Sequence, residues 1–133
     1  MGRARNELSV GEAAASVGLT AHTLRWYEQE GLVAPVDRDT AGRRRYREQD
    51  LDWLRLLTRL RTTGMPVREM RRYADLVRRG DTTVGERLRM FLEHRERVVE
   101  RIADLQRDLT AIDAKIEIYR TREQGHDEVT TAG

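Results

Sequence analysis

Arg38, Arg43, Arg44, Arg45 and Arg47 fall within ten consecutive positions, with Tyr46 among them and Asp37 and Asp39 alongside, for a local charge of +3. Guanidinium and phenol groups both donate hydrogen bonds to phosphate oxygens, so this grouping is suited to gripping a polyanionic backbone. Strand alternation would put Arg44 and Tyr46 on one face and Arg43, Arg45 and Arg47 on the other. The same charges also suit protection of an exposed hairpin edge. Just upstream, TAHTLRWYEQE places Ala21, His22 and Arg25 on the N-terminal, polar side of a helical period, with Leu24 opposite. Polar side chains at the start of a helix can read base edges when that helix lies in a major groove.

Other chemistries are poorly supplied. The chain of 133 residues has no cysteine, which removes disulfides, thiolate metal sites and thiol redox switches. His22, His94 and His126 lack ligand spacing, so no metal site is expected. There is no Gly-rich phosphate loop, nucleophile elbow or Cys/His pair, and Glu28 with Glu30 and Asp50 with Asp52 read as solvated or helix-terminal charges. No enzyme activity and no cofactor are expected. No apolar run approaches a signal peptide or a membrane span, which predicts a cytoplasmic protein with no membrane partner.

The net charge of +2 conceals an asymmetry: residues 1–80 carry 16 Arg against 11 carboxylates, a net of +5, and residues 81–133 a net of −3. A basic front half fits a polyanion partner. With 24 Arg and a single Lys in the chain, clustering carries more weight than number. Only 5% of residues are aromatic and 36% are charged, which points to a small core or to burial completed by a partner chain.

The elements that would position these groups follow from local signals. Ser9 with Glu12 forms a capping box for a helix from Val10 to Val17, and Gly18 suits a left-handed helix end. Thr20 caps a second helix from Ala21 to about Glu30, stopped by Gly31, and the pair forms a helix-turn-helix. LVAPV and RRRYR read as the arms of a short β-hairpin around the turn DRDTAG. Leu51, Leu54, Leu57, Trp53, Leu56 and Leu60 line one face of a third helix ended by Gly64; Pro66 opens a fourth, with Val67, Met70, Ala74 and Val77 inward, and RRGDTT reads as a loop. From Val84, the positions Leu88, Phe91, Arg95, Val98, Ile102, Leu105, Leu109, Ile112, Ile116 and Tyr119 alternate spacings of three and four. That heptad seam predicts a coiled coil running roughly 54 Å. Two copies paired this way would hold two DNA-gripping modules at fixed spacing.

Several of these stretches stand in the register of a known family. LSVGEAAASVGLTAHTLRWYEQEGLVAP, GRRRYREQDL and LRTTGMPVREM resemble the MerR family of bacterial transcription regulators over about residues 7–77. The resemblance implies a mainly α architecture: a winged helix-turn-helix DNA-binding domain over 7–79, a long coiled-coil dimerisation helix over 84–120 that pairs antiparallel, and a polar flexible tail over 121–133. It further implies a homodimer on pseudo-palindromic promoter DNA, distorting an overlong spacer between the elements that RNA polymerase recognises. Carried over, Arg25 and Tyr27 match the family's DNA-contacting Arg and Tyr, and Arg44 and Tyr46 match the R-x-Y of its wing. Thr20, His22 and Thr23 fall at variable base-reading positions, and Arg43 stands where an aromatic is common. Val98, Ile102, Leu105, Leu109, Ile112 and Ile116 would carry dimerisation.

The missing cysteines exclude the family's thiol-based metal and redox sensing, and the short chain after the heptads leaves no large C-terminal ligand domain. Trp53, Met70, Tyr73, Met90 and Phe91 are candidates to line a pocket for an apolar effector, although the same side chains suit ordinary core and hinge packing, which is the favoured reading. A regulator without any effector fits equally. Two other classes remain: a sequence-neutral architectural DNA binder, and a coiled-coil adaptor whose basic front binds protein or RNA. Strong, salt-sensitive preference for a specific duplex separates both from a regulator.

Overall fold

The computed structural model describes residues 7–33, 40–42 and 45–132, the last six of these by backbone alone. Ser9 opens α1 (Val10–Ser16) through the expected capping box: the Glu12 N–H donates to Ser9 Oγ at 3.2 Å and the Ser9 N–H to Glu12 Oε1 at 3.0 Å. Thr20 opens α2 (Ala21–Gln29) by accepting from the Thr23 N–H at 3.1 Å. Both helices close in one way. Gly18 and Gly31 adopt φ of +73° and +75°, which a side chain would strain, so the next N–H can reach back across the helix end. Leu19 thus donates to Ala14 O at 2.8 Å and Leu32 to Tyr27 O at 2.9 Å.

α3 (Glu48–Thr62) begins with the Arg47 N–H donating to Asp50 Oδ2 at 2.8 Å. Leu51, Leu54, Leu57 and Leu60 recur every three residues and are buried together, with Trp53 and Leu56 half-buried beside them. α4 (Val67–Arg79) buries Met70, Tyr73, Ala74 and Leu76. The stretch expected as a loop is instead one 3₁₀ turn, Asp81–Thr83, leading directly into α5 (Val84–Ala132). Thr83 Oγ1 is buried, bonded to Leu76 O at 2.6 Å and Gly80 O at 2.9 Å. Arg87 then donates from Nε to Thr83 Oγ1 at 3.0 Å and from Nη2 to Gly80 O at 2.8 Å, so the corner between α4 and α5 has its polar groups satisfied.

One expectation, the β-hairpin, falls mostly outside the described residues, and a second, the polar tail, needs correction. Among the described residues there is no strand. Positions 34–39, 43 and 44, most of the expected hairpin, lie outside them, and Tyr46 pairs with Leu8 in an isolated antiparallel bridge, 2.7 Å in each direction. A residue's N–H and C=O point to the same side in an extended segment, so Tyr46 has committed that edge to the chain before α1. The polar tail expected after residue 120 is helical to Ala132. No proline interrupts it, Arg120 pairs with Glu117 at 2.9 Å, and Thr121 Oγ1 donates to Glu117 O, while Gly125 costs only about 1 kcal/mol against Ala.

The chain divides into two units, Met1–Leu92 and Glu93–Gly133, with the boundary inside α5. Met90 and Phe91 belong with the first unit because they pack on its core. The second unit is helix alone.

In the first unit, the Tyr73 ring stacks on Trp53 with centroids 5.4 Å apart and tilts against Phe91 at 4.8 Å. Burial pushes the Tyr73 phenol above its ordinary value of 10.0, and the Arg87 charge partly opposes this. A folded pKa above the unfolded one leaves stability fully present below about pH 10 and removes it as pH rises through the folded value. Tyr73→Phe should therefore keep the ring stack and lessen the alkaline loss. Denaturant midpoints at about pH 8 and about pH 11 test this, because a variant that loses stability as steeply as the parent would exonerate Tyr73.

Candidate nucleic-acid interface

α2 carries its polar and apolar residues on separate sides. Leu24 and Tyr27, three positions apart, are buried against the core at 1% and 0% exposure. His22 and Arg25, also three apart, are exposed, with Thr20 exposed at the cap and Thr23 and Trp26 half-buried at the flanks. Thr20, His22, Thr23 and Arg25 therefore share the outward side of one short helix. Tyr27 does not join them. Its ring is core, and its hydroxyl has no hydrogen-bond partner among the described residues.

The described end of the expected wing is likewise drawn inward at Arg45 and Tyr46. Tyr46 is 1% exposed and Arg45 8%, so both faces of this stretch are covered, contrary to an exposed charged face carrying Arg45. Arg43 and Arg44 lie outside the described residues.

α2 is held in place at its C-terminal end, where helix carbonyls lack partners and the dipole is negative. Three successive carbonyls each receive a side-chain donor from another helix. Arg71 Nε donates to Glu30 O at 3.2 Å, Arg78 Nη2 to Gly31 O at 2.6 Å, and Trp53 Nε1 to Leu32 O at 2.7 Å. Arg71 also pairs with the Glu30 carboxylate. Sequence reasoning missed this clamp. Its one visible trace is the seven-residue spacing of Arg71 and Arg78, which puts them two turns apart on one face of α4.

A second unanticipated group lies on the outward side. Arg61, in the last turn of α3, holds its guanidinium carbon 5.0 Å from the Trp26 ring centroid and 6.0 Å from that of Tyr27. His22, Thr23, Trp26 and Arg61 line a cleft of about 190 Å³.

The five candidate effector residues do not form one cavity. Met70 is fully buried in the core and Met90 is 9% exposed. Tyr73 and Phe91 line a cleft of about 250 Å³ with Val84, Arg87 and Leu88. Trp53 lines a different one, of about 160 Å³, with Asp50 and Arg78 among its walls. Packing is thus the observed role of Met70, and Trp53 is committed to the clamp. Among the described residues no group of three His, Asp or Glu side chains could hold a metal ion, and no helix is long and apolar enough to cross a membrane.

Residues 8–76 match the family model described as MerR HTH family regulatory protein, and residues 51–115 match that described as MerR, DNA binding. The chain belongs to the MerR family. It is a DNA-binding transcription regulator and not an enzyme. An HTH-type transcriptional regulator of Haemophilus influenzae is 40% identical over 109 residues, covering 82% of this chain and 81% of the relative. AdhR of Bacillus subtilis is 36% identical, over 70% of this chain and 66% of its own. The chain spans 41% of a longer relative, the activator TipA of Streptomyces coelicolor. Among solved structures, HiNmlR, a MerR family regulator lacking the sensor domain and bound to promoter DNA, superposes with a TM-score of 0.80 at 38% identity, over 86% of this chain and 91% of that one. A MerR family regulator of Listeria monocytogenes gives 0.84 at 30% identity, over 91% and 92%.

If the clamp orients α2 in this MerR regulator, Trp53→Phe should leave the buried Leu32 carbonyl without its donor and cost about 1–3 kcal/mol in thermal unfolding. Joint replacement Arg71→Ala, Arg78→Ala should weaken operator binding with little change in its salt dependence, since both guanidinium groups are turned to carbonyls of the protein. A fall in the salt slope would instead make them phosphate contacts.

Proposed function

We propose that this regulator acts as a homodimer whose two α2 helices read the half-sites of a pseudo-palindromic promoter operator. The observation that carries the reading is the apolar seam of the second unit. Ile102, Leu105, Leu109 and Ile112 are 49%, 58%, 55% and 56% exposed in the single chain, at heptad spacing along an unbroken helix. Val98 and Ile116 extend the row. Isolated solvated helices do not keep such a row without a partner, since burying each of these side chains yields about 1.5–3 kcal/mol. A second copy supplies the same seam, and the antiparallel pairing usual in the family brings the two reading modules to opposite ends.

In this scheme residues 7–79 grip DNA and 84–120 pair the copies. Thr20, His22, Thr23 and Arg25 face the major groove, and Arg43 and Arg44 of the wing meet phosphates. Tyr27 and Tyr46, being core residues, support that surface from behind. The dimer distorts the promoter spacer and so changes how RNA polymerase, in the cytoplasm, engages its two elements. Without cysteine, any effector acts through chemistry other than thiol ligation or oxidation. HiNmlR, bound to promoter DNA and lacking a sensor domain, supports regulation on a frame of this kind.

Fragmented genomic DNA captured by the protein at physiological salt and sequenced should be enriched in a short inverted repeat across a promoter spacer. Diffuse recovery without a motif would favour a sequence-neutral architectural binder, and preferential capture of RNA or protein an adaptor. The paired replacement Ile102→Glu, Leu109→Glu should give a monomer by sedimentation and lose tight operator binding, while the first unit keeps its helical signal. A variant that stays dimeric and binds normally would refute pairing through this seam.

A further inference from the structure

The corner between α4 and α5 holds a cleft of about 250 Å³ that shares no residue with the outward side of α2. Its walls are Tyr73, Val84, Arg87, Leu88 and Phe91, with no carboxylate among them. Arg87 spends Nε on Thr83 Oγ1 and Nη2 on Gly80 O, which fixes the guanidinium against the corner and leaves Nη1 without a partner among the described residues. Tyr73 makes ring contacts with Trp53 and Phe91, and its hydroxyl has no hydrogen-bond partner among the described residues. Burial raises the phenol's pKa and the Arg87 charge partly opposes this, so the two groups lie close together and the phenol keeps its proton near neutral pH. Two donors, one of them charged, thus stand at a cleft whose other walls are aliphatic and aromatic carbon. A carboxylate carries one negative charge and accepts from two donors at once. A phosphate or sulfate would bring further lone pairs that apolar walls leave unsatisfied. The same walls favour an apolar body beside the acid group.

We infer that this cleft binds a small apolar carboxylic acid, with Arg87 and Tyr73 holding the carboxylate and Val84, Leu88 and Phe91 covering its hydrocarbon body. Bound there, the ligand bridges α4 and α5 and buttresses the Tyr73 ring. Tyr73 stacks on Trp53 at 5.4 Å, and Trp53 donates to Leu32 O at the end of α2. Occupancy therefore favours the clamped position of α2, and the ligand tightens operator binding by the factor by which the operator tightens the ligand. That regulatory step rests on the assignment of the α2 outward face to DNA; binding of the acid does not.

Calorimetric titration of the whole, DNA-free protein uses phenylacetate as the acid and phenylacetamide as its neutral counterpart. Phenylacetate should bind at about 1 mM or tighter, and phenylacetamide about ten-fold more weakly. Tyr73→Phe, which keeps the ring stack, should weaken phenylacetate about ten-fold, and Leu88→Trp, which fills the cleft, should abolish its binding. Equal affinity for acid and amide overturns the carboxylate assignment, and no binding of either overturns the site. The Ile102→Glu, Leu109→Glu protein separates a ligand site from a surface that a second copy covers. Binding to that variant but not to the parent makes the cleft part of the pairing surface and overturns the inference. Fluorescence anisotropy on a labelled duplex enriched in the genomic capture then reads regulation. Saturating phenylacetate should tighten duplex binding about five-fold in the parent and leave Leu88→Trp unaffected. Unchanged affinity with the acid bound overturns the relay to α2. If His22→Ala and Arg25→Ala bind the duplex like the parent, the α2 assignment fails while the acid site stands on its own titration.

Discussion

The carbonyls of Glu30, Gly31 and Leu32 are the fixed point of this structure. A helix of nine residues has almost no stability of its own, so its direction is set by whatever holds its ends. Thr20 ties the N-terminus locally, but the C-terminus is tied to α3 and α4 through Trp53, Arg71 and Arg78. Cations there also complement the negative end of the helix dipole. The outward residues of α2 inherit their positions from this clamp, because a short helix pinned at both ends and packed through Leu24 and Tyr27 has little rotational freedom left.

That arrangement explains why arginine is so abundant without being uniformly available for DNA. Among the described arginines of the first unit, some are bonded to carbonyls and carboxylates and others stand exposed at the surface. Arg71, Arg78 and Arg87 satisfy backbone groups that would otherwise lack partners at helix ends. Arg25 and Arg61 remain outward. Arg's rigid fork, always charged and able to bond along two edges, suits both uses, which Lys would not.

The two units divide along chemical lines. The first has a core of leucines, methionines and tyrosines. The second has exposed apolar residues on a helix of alternating charge, with intrahelical pairs such as Arg107 with Asp104 and Arg120 with Glu117. Such pairs contribute only a few tenths of a kcal/mol each, so burial of the apolar seam outweighs them and favours association.

Local sequence determined the helix starts, the glycine closures of α1 and α2, the heptad row and the outward placement of His22 and Arg25, because capping, glycine closure and helical periodicity act within a few residues; it did not mark the end of α5, which runs on to Ala132. It also located the basic stretch, though not which arginines stay at the surface. Tertiary structure decided the rest. Tyr27 and Tyr46 carry polar groups that resemblance reads as outward, yet Tyr27 shares a helix face with Leu24 and Tyr46 is drawn in by its bridge to Leu8. Trp53, a pocket candidate for which packing is the favoured reading, also proved to be a donor to Leu32 O. Arg61 reached Trp26 only because α3 ends beside α2. None of these pairings has a local signature, since a donor's choice of carbonyl or aromatic face depends on where separate helices come to rest, and packing alone sets that.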